Sequence, residues 1–104
     1  MNAETLQRKV VISNPLGFHL RPISAFARTA SQFDCAVTVA RDQQRVNGKS
    51  PLELMLLGAE QGTELLLEIT GNDAHAALDA LIQVLNTSWD HDEGIGPAAV
   101  SPER

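Results

Sequence analysis

The spacing of apolar positions along the chain changes repeatedly, and each change marks an element. The short, β-branched run RKVVIS, residues 8–13, ends at NPLG and predicts a strand running into a turn. From His19 the spacing lengthens to three and four residues, with Ile23, Phe26, Ala27, Ala30 and Phe33 forming the stripe of an amphipathic helix. CAVTVA, residues 35–40, and QRVNG, residues 44–48, then predict two strands joined through the polar RDQQ region as a hairpin. A short helix follows in SPLELMLLG, opened by Ser50 and closed by Gly58.

ELLLEIT, residues 64–70, predicts a further strand with Leu65, Leu67 and Ile69 on one face and Leu66 and Glu68 on the other. GNDAHAALDALIQVLNT is a helix capped by Asn72 or Asp73, with Ala74, Leu78, Leu81 and Leu85 as its stripe. After Thr87 the pattern stops, and the Gly-, Pro- and acid-containing segment that follows predicts a frayed tail. The expected division is one domain over residues 1–88 and a flexible tail over 89–104. The order βαββαβα predicts an α+β open-faced sandwich: a four-stranded antiparallel sheet with three helices on one face and water on the other.

Composition narrows the function classes. A chain of 104 residues with 43% hydrophobic and 20% charged residues has the balance of one globular domain. Its longest apolar runs are far short of the roughly 20 residues that cross a bilayer, and its start lacks the apolar core of an export signal, so a cytoplasmic protein without membrane insertion is expected. The single cysteine, Cys35, fits a thiol packed in a strand. A net charge of −5 without a basic stripe argues against nucleic acid as partner. His75 on the outer half of the last helix and His91 in the tail read as surface residues rather than ligands, so no metal is expected.

The chemistry concentrates in NPLGFHLRPISAF, residues 14–26. Pro22 fits the first turn of a helix, where its missing N–H has no intrahelical partner to lose, which puts His19 close to the N-cap. A helix start presents unpaired N–H groups and partial positive charge, a natural seat for an anion. A phosphoryl group on the His19 ring would face those N–H groups and the guanidinium of Arg21, which can offer paired donors. Pro15 and Gly17 suit a tight turn that brings the backbone close. On the residues alone, a reversible phosphohistidine site stands level with a plain helix start beside a solvated arginine.

NPLGFHLRP resembles the active-site signature of the HPr family, the histidine-containing phosphocarriers of the phosphoenolpyruvate-dependent phosphotransferase system. GKSPLELMLLGAEQGTELLLEITGND is similar to the family's second motif, and the resemblance runs from about Lys9 to Thr87. It implies that His19 accepts a phosphoryl group from enzyme I and passes it to an enzyme IIA domain, that Leu20 and Arg21 help bind it, and that Gly17 and Pro22 shape the site. It further implies a monomeric carrier without cofactor, not a stand-alone enzyme, and marks Ser50 as a candidate site for an HPr kinase.

The short helix carries an independent hint of docking. PLELMLLG holds more large apolar residues than one buried stripe needs: with Leu54 and Leu57 on the sheet, Leu52, Met55 and Leu56 are surplus. Leu20 would extend this patch, with Arg21, Arg28 and Lys49 as a basic rim. Two residues depart from the family pattern on that surface, Pro51 after Ser50 and Glu53 in the helix. Ser50, Pro51 and Glu53 also form the pattern of an N-cap, an N1 proline and a capping-box glutamate. Other functions stay open: the nitrogen-related regulatory branch of the family, a regulatory module without phosphotransfer, and a small enzyme using His19 as base, for which no completing carboxylate, serine or histidine falls in a motif.

Overall fold

The computed structural model describes residues 5–87, in which seven elements follow the order β1 (Thr5–Val11), α1 (Leu20–Ala30), β2 (Cys35–Arg41), β3 (Gln44–Asn47), α2 (Pro51–Met55), β4 (Glu64–Gly71) and α3 (Ala74–Asn86). The expected tail, its residue His91 and the boundary at residue 88 lie outside the described residues. The first strand begins earlier than its β-branched centre predicts and ends before Ile12. Pairing explains the difference, since Thr5 is registered against Thr70 and Val11 against Glu64.

The four strands form one antiparallel sheet in the order β1-β4-β2-β3. Alternation along β4 sends Leu65, Leu67 and Ile69 beneath the helices, and their register partners Val37 and Val39 in β2 turn the same way. Glu68, Arg45 and Gln7 lie on the opposite, open face, where Glu68 accepts hydrogen bonds from both of the others. The open-faced sandwich expected from the pattern is the fold observed.

Phe26, Leu54, Leu65, Leu67, Ile69 and Leu81 are the largest fully buried side chains, drawn from α1, α2, β4 and α3. Each is worth about 1.5–3 kcal/mol when buried. Phe18 joins them just before α1, meeting Phe26 edge to face with ring centroids 5.7 Å apart. The residue immediately ahead of His19 is thus anchored in the core.

Two local expectations are corrected. Phe33 lies beyond the end of α1, although it still packs partly buried against the core. Asp73 is the N-cap of α3, but its carboxylate does not cap that helix; it accepts the backbone N–H of Asp34 at 3.2 Å and joins the β4–α3 connection to the α1–β2 connection. Cys35 sits half-buried in β2 opposite Gly71, as a strand-packing thiol should, and burial raises its pKa, with Asp73 and Asp34 adding to the rise and Lys49 opposing it.

Candidate functional site

The site begins with the turn that follows β1. Pro15 occupies the second position of Asn14–Gly17, and the turn closes through the Gly17 N–H donating to the Asn14 carbonyl at 2.8 Å. Asn14, itself buried, reinforces it by accepting the Leu16 N–H on Oδ1 at 3.0 Å. The sequence pattern points to Pro15 and Gly17 but passes over Asn14; an asparagine two residues before a turn's third position was the available signal.

Gly17 has φ +76°, the left-handed region, and lies directly on the chain after α2. That neighbouring segment holds the turn at several points. Phe18 N–H donates to the Ala59 carbonyl at 2.9 Å, Ile12 N–H to the Thr63 carbonyl at 2.9 Å, and Gly62 N–H to the Ile12 carbonyl at 2.8 Å. The side-chain amide of Gln61 adds a bond to the Ser13 carbonyl at 3.2 Å.

His19 is the N-cap of α1, with extended backbone (φ −103°, ψ −170°), and its carbonyl accepts the first intrahelical N–H from Ile23 at 2.9 Å. Its ring makes no capping hydrogen bond, and the first turn contains no acidic residue. The positive end of the helix is therefore not neutralised by its own side chains. Pro22, third in the helix and buried, takes the place where the missing N–H costs nothing. The ring is half-buried, with Nε2 covered by the fold.

Leu20 and Arg21 are exposed beside it, and with Ser24, Ala25 and Arg28 they line a shallow groove along α1. A second groove continues from Ser24 and Arg28 to Lys49 and Pro51 at the start of α2. Arg21, Arg28 and Lys49 thus border two adjoining grooves that share Ser24 and Arg28. Lys49 has a further role that the sequence does not disclose: its ammonium donates to the Phe33 carbonyl at 3.0 Å, bracing the connection after α1.

The apolar residues of α2 and of the turn that follows it divide as their spacing predicts. Leu54 and Leu57 are buried, whereas Leu52 is 78% exposed, Leu56 67% and Met55 50%. Leu20 and Leu16 are exposed as well, so both helix starts and the His19 turn carry uncovered apolar side chains.

The start of α2 corrects the expected capping box. Ser50 is the N-cap, Pro51 the first helical residue, and Ser50 Oγ accepts the Glu53 N–H at 3.3 Å. Glu53, however, does not reach back to Ser50; its Oε1 accepts the Asn47 N–H at 2.9 Å, and the Ser50 N–H goes instead to the Asn47 carbonyl at 3.1 Å. Glu53 therefore fastens the helix to the end of β3. Among the described residues no group of three or more His, Cys, Asp or Glu side chains is placed to hold a metal ion, and no helix is long and apolar enough to cross a membrane.

The family model for the PTS HPr component phosphorylation site matches residues 6–87. The phosphocarrier protein HPr of Neisseria meningitidis serogroup A is 43% identical over 81 residues, covering 78% of this chain and 91% of its own. The phosphocarrier protein NPr of Shewanella violacea is 35% identical over 85 residues, covering 82% of this chain and 93% of its own. The crystal structure of HPr from Bacillus anthracis matches with a TM-score of 0.73 at 30% identity, covering 77% of this chain and 95% of that one.

Proposed function

The chain belongs to the HPr family of phosphocarriers of the phosphotransferase system, and on that premise we propose that His19 takes up the phosphoryl group and hands it on. The observation that carries the proposal is the position of His19 at the start of α1, a helix whose positive end has no acidic residue in its own first turn. Burial of Nε2 supports Nδ1 as the nitrogen offered to the donor. Its lone pair attacks phosphorus, the new P–N bond forms as the donor's bond to phosphorus breaks, and that bond's electron pair leaves with the donor. The reverse sequence delivers the group to the acceptor.

Arg21, two residues along, supplies a guanidinium for the phosphoryl oxygens, and the backbone at Leu20 and Arg21 supplies the helix-start amides. Gly17 and Pro22 fix the turn and the helix start between which the ring stands. Enzyme I is the proposed donor and an enzyme IIA domain the proposed acceptor, docking in turn on Leu20, Leu52, Met55 and Leu56 with Arg28 and Lys49 at the rim. Exposed leucine and methionine side chains suit a surface that must fit two partners.

The likeness to an NPr supports a second reading, in which the same transfer serves nitrogen-related regulation. Measuring phosphorylation by the sugar-branch and nitrogen-branch forms of enzyme I, side by side, separates the two. For His19 chemistry in either branch, Arg21→Ala should slow transfer without abolishing it, because the helix-start amides remain; an unchanged rate removes Arg21 from the site.

A further inference from the structure

We infer that Arg41, on the hairpin remote from His19 in sequence, is a positioning residue for phosphoryl transfer, acting by clamping the docking helix to the His19 turn. The inference rests on the phosphocarrier reading above. Helix α2 ends at Met55, and the turn after it takes up the last helical carbonyls, with the N–H groups of Leu56, Leu57 and Gly58 donating to Glu53, Leu54 and Met55; the carbonyls of that turn itself then need partners from elsewhere. The guanidinium of Arg41 meets two carbonyls of this turn: Nη1 donates to Leu57 at 2.8 Å and to Gly58 at 2.9 Å. Gln44, its register partner across the hairpin, donates from Nε2 to the Leu56 carbonyl at 3.4 Å.

The two residues therefore grip three consecutive carbonyls. The first belongs to Leu56, one of the exposed docking residues. One residue beyond the last is Ala59, whose carbonyl accepts the Phe18 N–H at 2.9 Å, immediately before His19. Gly58, two residues past the C-cap Leu56, turns at φ +56°, a left-handed conformation that redirects the chain toward Ala59 and the His19 turn. Met55 and Leu56 on one side of the clamp and Phe18 and His19 on the other are thereby held in one relative position. Partners must grip the first pair while reaching the ring of the second. A guanidinium suits the task because its charge strengthens both hydrogen bonds and its nitrogen can point one hydrogen at each carbonyl.

Loss of the clamp should loosen the docking surface relative to the ring and leave the chemistry of the ring intact. The test compares wild type, Arg41→Ala and Arg41→Lys as carriers for enzyme I, with amide hydrogen exchange followed at Phe18 and at Leu67 in the central strand. Arg41→Ala should raise KM about three- to tenfold with kcat nearly unchanged, and should speed exchange at Phe18 with no change at Leu67. Arg41→Lys should recover part of the KM loss. An unchanged KM, or equal acceleration of exchange at Phe18 and Leu67 as global destabilisation would produce, overturns the inference. If the wild type takes no phosphoryl group from enzyme I, the functional reading fails, and exchange at Phe18 then decides by itself whether Arg41 holds the turn.

Discussion

A Cβ atom on Gly17 would stand 2.8 Å from the carbonyl oxygen of Ala59 and 3.0 Å from the Cα of Glu60. Both neighbours are backbone, so neither can swing aside. The turn before His19 and the chain leaving α2 therefore fit together only because residue 17 has no side chain.

Gly17→Ala combines that clash with a left-handed φ that costs an L-residue about 1–2 kcal/mol. It should lower Tm by several degrees, at roughly 4–8 °C per kcal/mol for a domain of this size, and slow phosphoryl acceptance by displacing the ring. A variant with unchanged Tm and transfer rate would show that the contact between turn and helix exit yields easily.

Met55→Glu places a charge on the exposed apolar surface of α2 without touching the core. Transfer from enzyme I should fall at least about tenfold in kcat/KM, the loss typical of a well-placed interface residue. Stability should move by no more than about 0.5 kcal/mol, as for other surface changes. A large drop in Tm, or normal transfer, removes Met55 from the proposed docking surface.

Ser50→Ala deletes the side-chain cap of α2 and should cost about 0.5–2 kcal/mol in urea unfolding, toward the low end because the bond is 3.3 Å long. A phosphate on Ser50 would lie at the same helix start as the Glu53 carboxylate and add negative charge to the proposed docking face. It should therefore impair transfer without unfolding the protein. Pro51 alters the segment a kinase would grip, so treatment with an HPr kinase should leave Ser50 largely unmodified; robust acid-stable phosphate there would contradict this.

Glu68 receives hydrogen bonds from Arg45 and Gln7 on the open sheet face, and the bond from Arg45 holds its pKa below the ordinary 4.5. A carboxylate with a depressed folded-state pKa stabilises the fold fully above its unfolded value and loses that contribution as pH falls through the folded value. Wild-type stability should accordingly decline as the solution is acidified below 4.5, and Glu68→Gln should show a shallower decline over the same interval. Added salt should reduce the difference. Identical pH profiles would mean the pair contributes nothing in solution.

How far the sequence discloses this protein depends on how local each feature is. Leu54 and Leu57 separate from Leu52, Met55 and Leu56 by helical spacing alone, and Leu65, Leu67 and Ile69 separate from Glu68 by strand alternation, so both divisions are visible in the string of residues. His19 at a helix start is visible because Pro22 marks the first turn. The carbonyls that Arg41 and Lys49 reach are not, since those partners lie 16 and 17 residues away and come near only when the sheet and helices have packed. Glu53 shows the limit most plainly: its spacing from Ser50 fits a capping box, yet the end of β3 offers the Asn47 N–H, and the carboxylate goes there.

The most direct test of the account follows the mass of the protein after incubation with enzyme I and phosphoenolpyruvate, for wild type and for His19→Ala. Wild type should gain one acid-labile phosphoryl group, and His19→Ala should gain none while melting at nearly the same temperature. Acid-labile phosphorylation that persists in His19→Ala, or a wild-type protein that takes up no phosphoryl group, would contradict the assignment of His19 as the carrier.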